Sequence, residues 1–183
     1  MSYFTDRHKH VNHALSDDGQ GIRECQMGAL HAISSHFSLK DTQAVVVLPT
    51  GAGKTAVLML SPFVLRAKRV LVITPSQFVR NQIARDFKAL STLKRTGALP
   101  SNLDPPLVIE AKGVMATVTA WEAFREADVV VATPNAVSPG KKGIASPHDD
   151  LFDLVLIDEA HHAPAQTWSA IITAFPSARS VLF

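Results

Sequence analysis

Hydrophobic positions along the chain gather into short dense runs separated by stretches with helical spacing. Ala44 to Leu48 (A-V-V-V-L), Val70 to Thr74 (V-L-V-I-T), Leu107 to Glu110, Val129 to Thr133, Leu154 to Ile157 and Ser180 to Phe183 are such runs, many of them rich in β-branched residues. Apolar on consecutive positions, they predict strands of a parallel sheet buried on both faces. Between them the spacing predicts helices over Lys54 to about Leu65, Gln77 to about Leu90, Thr119 to Ala127 and Pro164 to Phe175. The first is expected to bend near Pro62, whose missing N–H cannot bond back one turn. Gly97 to Pro106 (G-A-L-P-S-N-L-D-P-P) and Ser138 to Asp150 are dense in turn residues and are expected as surface loops. Alternating strands and helices predict an α/β fold, a three-layer α/β/α arrangement with helices on both faces of the sheet. There is no internal repeat and no low-complexity tract.

A chain of 183 residues is one domain's worth and long enough for a real core. No apolar run approaches a membrane span, and the opening M-S-Y-F-T-D-R-H-K-H has no apolar stretch of a secretory signal. The single Cys25 cannot form an internal disulfide, so a cytoplasmic setting without a membrane is expected. The net charge of +2 conceals an asymmetry: residues 1–100 carry 13 Lys/Arg against 6 Asp/Glu, and residues 101–183 carry 5 against 10. Between Arg66 and Arg95 eight cations (Arg66, Lys68, Arg69, Arg80, Arg85, Lys88, Lys94, Arg95) face one acid, Asp86. A polyanion partner and a solvated helix face both fit that run.

Two segments carry chemistry. Leu48 to Thr55 reads L-P-T-G-A-G-K-T behind an apolar run, the pattern of a phosphate-binding loop. Gly51 and Gly53 allow a tight turn that aims backbone N–H groups inward, and a helix starting near Lys54 adds its positive dipole end. Thr50, Gly51, Ala52, Gly53, Lys54 and Thr55 are thus candidate nucleotide contacts: Lys54 for the β- and γ-phosphates, the Thr55 hydroxyl for Mg²⁺. The second segment, F-D-L-V-L-I-D-E, ends a predicted strand with Asp158 and Glu159. The carboxyl ends of parallel strands are where ligands bind in open α/β sheets. Asp158 suits Mg²⁺, directly or through water, and Glu159 is placed to orient or deprotonate an attacking water.

Five segments, in order, resemble the first RecA-like domain of superfamily 2 DEAD/DEAH-box helicases and translocases. The likeness is to the DEAH-type group related to type III restriction enzyme Res subunits. Arg23, Gln26 and Ala29 resemble an R-x-x-Q-x-x-A motif whose glutamine reads adenine in the family. L-P-T-G-A-G-K-T resembles motif I, with Leu48 where the general consensus has glycine. Val70 to Gln82 resembles motif Ia and Val131 to Ala136 motif Ib. L-V-L-I-D-E-A-H-H resembles motif II, with His161 matching the family's link between the γ-phosphate and a moving second domain.

The resemblance implies a P-loop NTPase of RecA-like fold over residues 21–183 behind an N-terminal extension, 1–20, ending before motif III. It implies ATP and Mg²⁺ as ligands and DNA or RNA as partner, held through Thr74, Pro75, Ser76, Thr133 and Pro134. It also implies a second RecA-like domain, absent from this chain, that completes the ATP site, and restriction-modification or repair subunits as further partners. Thr and Ser before helices also serve as helix caps, so the strand contacts keep that alternative. Two other functions stay open: a P-loop ATPase switch that does not move on nucleic acid, and a truncated non-catalytic binding module.

His8, His10 and His13 lie close together without a Cys or acidic pair to complete a metal set, and a mobile or helical extension is expected there. His31 and His36 are expected on a helix, facing solvent or packing at its end. Trp168, at helical spacing with Ile171, Ile172 and Phe175, is expected in the core.

Overall fold

The computed structural model describes residues 2–15, 20–139, 141–160 and 165–183. Its centre is a six-stranded sheet in which every pairing is parallel. The strands are β1 (Ala44–Val45), β2 (Val70–Ile73), β3 (Val108–Glu110), β4 (Val129–Ala132), β5 (Leu154–Ile157) and β6 (Arg179–Leu182), in the order β1-β6-β5-β2-β4-β3.

Because side chains alternate across a strand, each strand feeds two cores. Val70, Val72, Val129, Val131, Leu154 and Leu156 face one side. There they meet α1 (Tyr3–Arg7), α2 (Glu24–Leu39), α3 (Lys54–Val64), α4 (Gln77–Ala89) and α5 (Ser91–Arg95). Leu71, Ile73, Val130, Ala132, Val155 and Ile157 face the other, against α6 (Val118–Glu122), α7 (Pro134–Val137) and α8 (Ala165–Ala174). The chain is therefore the three-layer α/β/α structure that its hydrophobic runs imply.

Four expectations need correction. The run Ala44 to Leu48 is not a strand buried on both faces: β1 is two residues long and stands at the sheet's edge, with Val45 65% and Val47 89% exposed. An edge strand has one neighbour, and here the ladder reaches only as far as the Val46 N–H bonded to the Leu182 carbonyl. The helix expected over Thr119 to Ala127 is α6 followed by a 3₁₀ turn, Ala123–Glu126, which tightens the chain into β4. Gly97 to Pro106 is irregular, yet Ala98, Leu99 and Leu103 are buried, because the segment lies over the helical layer rather than outside it. The N-terminal segment is helical but no appendage: Tyr3, Phe4 and Val11 belong to the core.

Candidate functional site

The loop after β1 is held from one side by α2. The Arg23 guanidinium donates to the Gly51 carbonyl at 2.7 Å, and Gln26 Nε2 donates to the carbonyls of Ala52 (2.9 Å) and Gly53 (3.3 Å). Gln26 Oε1 accepts from the Arg23 N–H at 3.1 Å, so the amide is fully engaged. In a trans peptide the N–H points opposite to the C=O, so the N–H groups of Gly53 and Lys54 face away from Gln26. Gly51 and Gly53 both have φ of +83°, the left-handed conformation that glycine adopts without a Cβ clash. Gly53 caps α3, and Lys54 and Thr55 open it. The result is a concave row of N–H groups at a helix N-terminus, the arrangement that binds anions.

Asp158 and Glu159 follow β5 at the same rim. The Asp158 N–H bonds to the Ile73 carbonyl at 2.8 Å, extending the ladder and fixing the acidic pair to the end of β2. Glu159 has φ of 52°, uncommon for a residue with a Cβ. Although 105 residues separate them in sequence, Lys54 Nζ donates to Glu159 Oε1, and it lies 3.6 Å from Asp158 Oδ1. Asp158 is 8% exposed, and burial pushes its carboxyl above the ordinary range; Lys54 acts against that shift and Glu159 adds to it.

A cavity of about 200 Å³ adjoins the loop, walled by Gly21, Ile22, Arg23, Gln26, Gly53 and Thr55 and, from across, by Thr92, Leu93, Arg95 and Thr96. The α5 residues were not foreseen. Their motif-free sequence carries no signal, and they reach the cavity because Leu90, at φ of 53°, turns the chain sharply between α4 and α5.

The two Thr-Pro segments also meet. Pro75, Ser76, Gln77, Thr133, Pro134, Asn135, Lys141 and Thr167 line a recess of about 300 Å³ between the ends of β2 and β4. Thr74 is the exception among the expected strand contacts: it is fully buried, and its hydroxyl donates to the carbonyls of Ala132 (3.2 Å) and Ser76 (3.3 Å). Ser76 caps α4 by accepting from the Val79 N–H at 3.3 Å, whereas Thr133 precedes α7 without a side-chain cap.

The basic run between Arg66 and Arg95 does not form one surface. Arg66, Lys68 and Arg69 precede β2, at the opposite rim, where Arg69 donates to the carbonyls of Leu151 and Arg125, each at 2.7 Å. Lys94 and Arg95 end α5, and Arg80, Arg85 and Lys88 lie along α4. Trp168 is buried and donates to the Ala160 carbonyl at 2.6 Å. His161 and the adjoining His162 lie outside the described residues. His8 Nδ1 is 2.8 Å from the Thr5 carbonyl. Among the described residues no three His, Cys, Asp or Glu side chains gather as a metal site, and no helix is long and apolar enough to cross a membrane.

An all-parallel sheet whose rim joins a phosphate-loop lysine to an acidic pair from the strand beyond its neighbour is the arrangement of a RecA-like P-loop domain. The chain belongs to the family described as type III restriction enzyme, res subunit, whose model matches residues 20–183. Among solved structures it is similar to the UvsW helicase of bacteriophage T4 (TM-score 0.63, 18% identity), covering 98% of this chain and 58% of that one. It is similar to a hypothetical ATP-dependent RNA helicase from Sulfolobus tokodaii (TM-score 0.59, 21% identity), covering 100% of this chain and 50% of that one. A DEAD box protein from Methanococcus jannaschii matches at a TM-score of 0.57 with 19% identity, over 87% of this chain and 42% of that one. The chain thus spans about half the length of these structures. At such identities the likeness establishes the fold. No curated protein matches the chain significantly.

Proposed function

We propose that the chain is the ATP-binding N-terminal half of a DEAH-type, ATP-dependent nucleic-acid helicase or translocase. It would hydrolyse ATP to ADP and phosphate once a second RecA-like domain closes on it. The observation that carries this reading is the approach of Lys54 to Asp158 and Glu159 beside the row of loop N–H groups.

In this reading Lys54 leaves Glu159 for the β- and γ-phosphates, and the loop amides share their charge. Glu159, released from the ammonium, orients or deprotonates the attacking water. Gln26 exchanges its bonds to the loop carbonyls for the adenine edge, and the base occupies the cavity between α2 and α5. His161 links the γ-phosphate to the second domain.

The donor set fits a magnesium ion. A hydroxyl and a carboxylate are the hard oxygen ligands it takes, and Asp158 carries a burial penalty that a cation offsets. Bound there, Mg²⁺ would neutralise phosphate charge, with Thr55 and Asp158 as the residues that hold it. An arginine from a second domain is worth ~10³–10⁵-fold in phosphoryl transfer, so the isolated chain is expected to bind ATP with little turnover. Pro75, Ser76, Thr133 and Pro134 hold the backbone of a DNA or RNA strand without reading bases.

The test is equilibrium binding of a fluorescent ATP analogue with Mg²⁺ to the wild type and to Lys54→Ala. Loss of one charge-assisted phosphate contact predicts weakening of about tenfold or more. Equal affinity of the two proteins would remove the nucleotide reading.

A further inference from the structure

Arg80, Asn81, Arg85, Lys88, Glu110 and Lys112 wall a recess of about 500 Å³ on the flank where α4 crosses the end of β3. Four cations there face one carboxylate. Glu110 is shared between two of them: Oε1 accepts from Lys88 Nζ at 2.8 Å, and Oε2 lies 3.9 Å from Arg80 Nε. Arg80 is built into the wall, 5% exposed, donating to the Ala111 carbonyl at 3.2 Å and to Asn81 Oδ1 at 3.0 Å. Arg85 and Lys112 are exposed, and neither forms an ion pair among the described residues.

The recess therefore keeps an excess of positive charge, reduced by Glu110 near Lys112 and by Asp86 next to Arg85. A solvated helix face balances its signs on a convex surface; a concave surface with an excess of one sign concentrates potential and draws polyanions. Its position narrows the partner. Arg80 lies four residues beyond Ser76, ~6 Å or about one turn along α4, so the recess adjoins the one between the Thr-Pro segments.

We propose that this flank is a second contact for the phosphate backbone of the single strand held at the Thr-Pro segments. Arg85 and Lys112 meet the phosphates, while Arg80 and Lys88, through Glu110, keep the recess in shape. The assignment rests on the nucleic-acid reading above and extends the path of the strand sideways along the sheet, toward its β3 edge. Contacts of this kind are blind to base sequence.

The experiment is fluorescence anisotropy of the chain with labelled single-stranded oligonucleotides, one homopolymeric and one mixed, titrated between ~50 and ~200 mM salt. Arg85→Ala/Lys112→Ala is expected to weaken binding by the same factor on both sequences. Removing two phosphate contacts should flatten the log-affinity against log-salt slope by ~1.4. Lys9→Ala/Lys40→Ala removes the same charge from exposed positions elsewhere and is expected to keep the wild-type slope. A wild-type slope in Arg85→Ala/Lys112→Ala, or equal flattening in Lys9→Ala/Lys40→Ala, overturns the flank site alone. Absence of oligonucleotide binding by the wild type overturns the flank site together with the reading beneath it.

Discussion

Gln26 stands where Gly53 admits no side chain: a β-carbon at Gly53 would overlap Gln26 Nε2, the atom that holds the loop carbonyls. Gly53 also has φ of +83°. Gly53→Ala therefore meets two penalties, a left-handed backbone worth ~1–2 kcal/mol and displacement of Gln26 from its bonds. Urea denaturation should show the loss, and the Gln26→Ala background should separate its parts. There the clash disappears and only the backbone term remains, so Gly53→Ala should cost less. The same cost in both backgrounds would show that Gln26 is not the obstacle.

The buried Asp158 carboxyl predicts a gain in stability when its charge is removed. Burial raises its folded pKa above the unfolded value, so the folded state holds the proton more tightly. Folding then bears no penalty from this group below the unfolded pKa, and the full penalty appears once pH exceeds the folded pKa. Asp158→Asn removes that penalty. It should raise Tm at neutral pH, with the gain shrinking as pH falls into the carboxylate range. Thermal melts of both proteins from acid to neutral pH give the comparison. A gain that grows toward low pH would contradict the assignment.

The strands and the two rim motifs were legible because they are local: an apolar run between turn residues marks where a strand lies, though not how far it extends or how deeply it is buried. The basic run was legible only as composition. Arg69, Arg80 and Arg85 look alike in sequence, yet Arg69 ties two loops together at the far rim, Arg80 is buried and Arg85 meets solvent. What separates them is the three-dimensional placement of Leu151, Ala111 and Asn81, which no local pattern contains. The edge position of β1 was hidden for the same reason, since strand order depends on crossovers rather than on the strand itself.

Arg80→Ala and Arg85→Ala convert that distinction into numbers. Removing Arg80 leaves the Ala111 carbonyl and Asn81 Oδ1 short of a charged donor and Glu110 short of a partner. A loss of ~2–4 kcal/mol is expected, because breaking a buried charged network exposes its remaining members to unpaired burial. Arg85→Ala should stay within ~0.5 kcal/mol of the wild type. Denaturant midpoints with unchanged slopes decide it, and equal losses would mean that both arginines are surface groups.

Phe4 makes the last case, since nothing near it announces a core. Residues 2–15 carry few hydrophobics among polar and charged residues, and Phe63, which Phe4 packs against, lies 59 residues further along the chain. In the fold Phe4 is fully buried, its ring edge-to-face with Phe63 at 4.9 Å and with Tyr3 at 5.0 Å. Phe63 sits in the last turn of α3, the helix that begins at Lys54, so α1 buttresses the element that carries the phosphate-loop lysine. Phe4→Ala should cost ~3–5 kcal/mol, a large share of the ~5–15 kcal/mol that holds a domain together. Because the cavity would open beneath α3 rather than in the loop, affinity for nucleotide should fall less than tenfold under conditions where the variant stays folded. A stability loss below ~1 kcal/mol would mean that the N-terminal helix is an ornament on the domain and not part of its core.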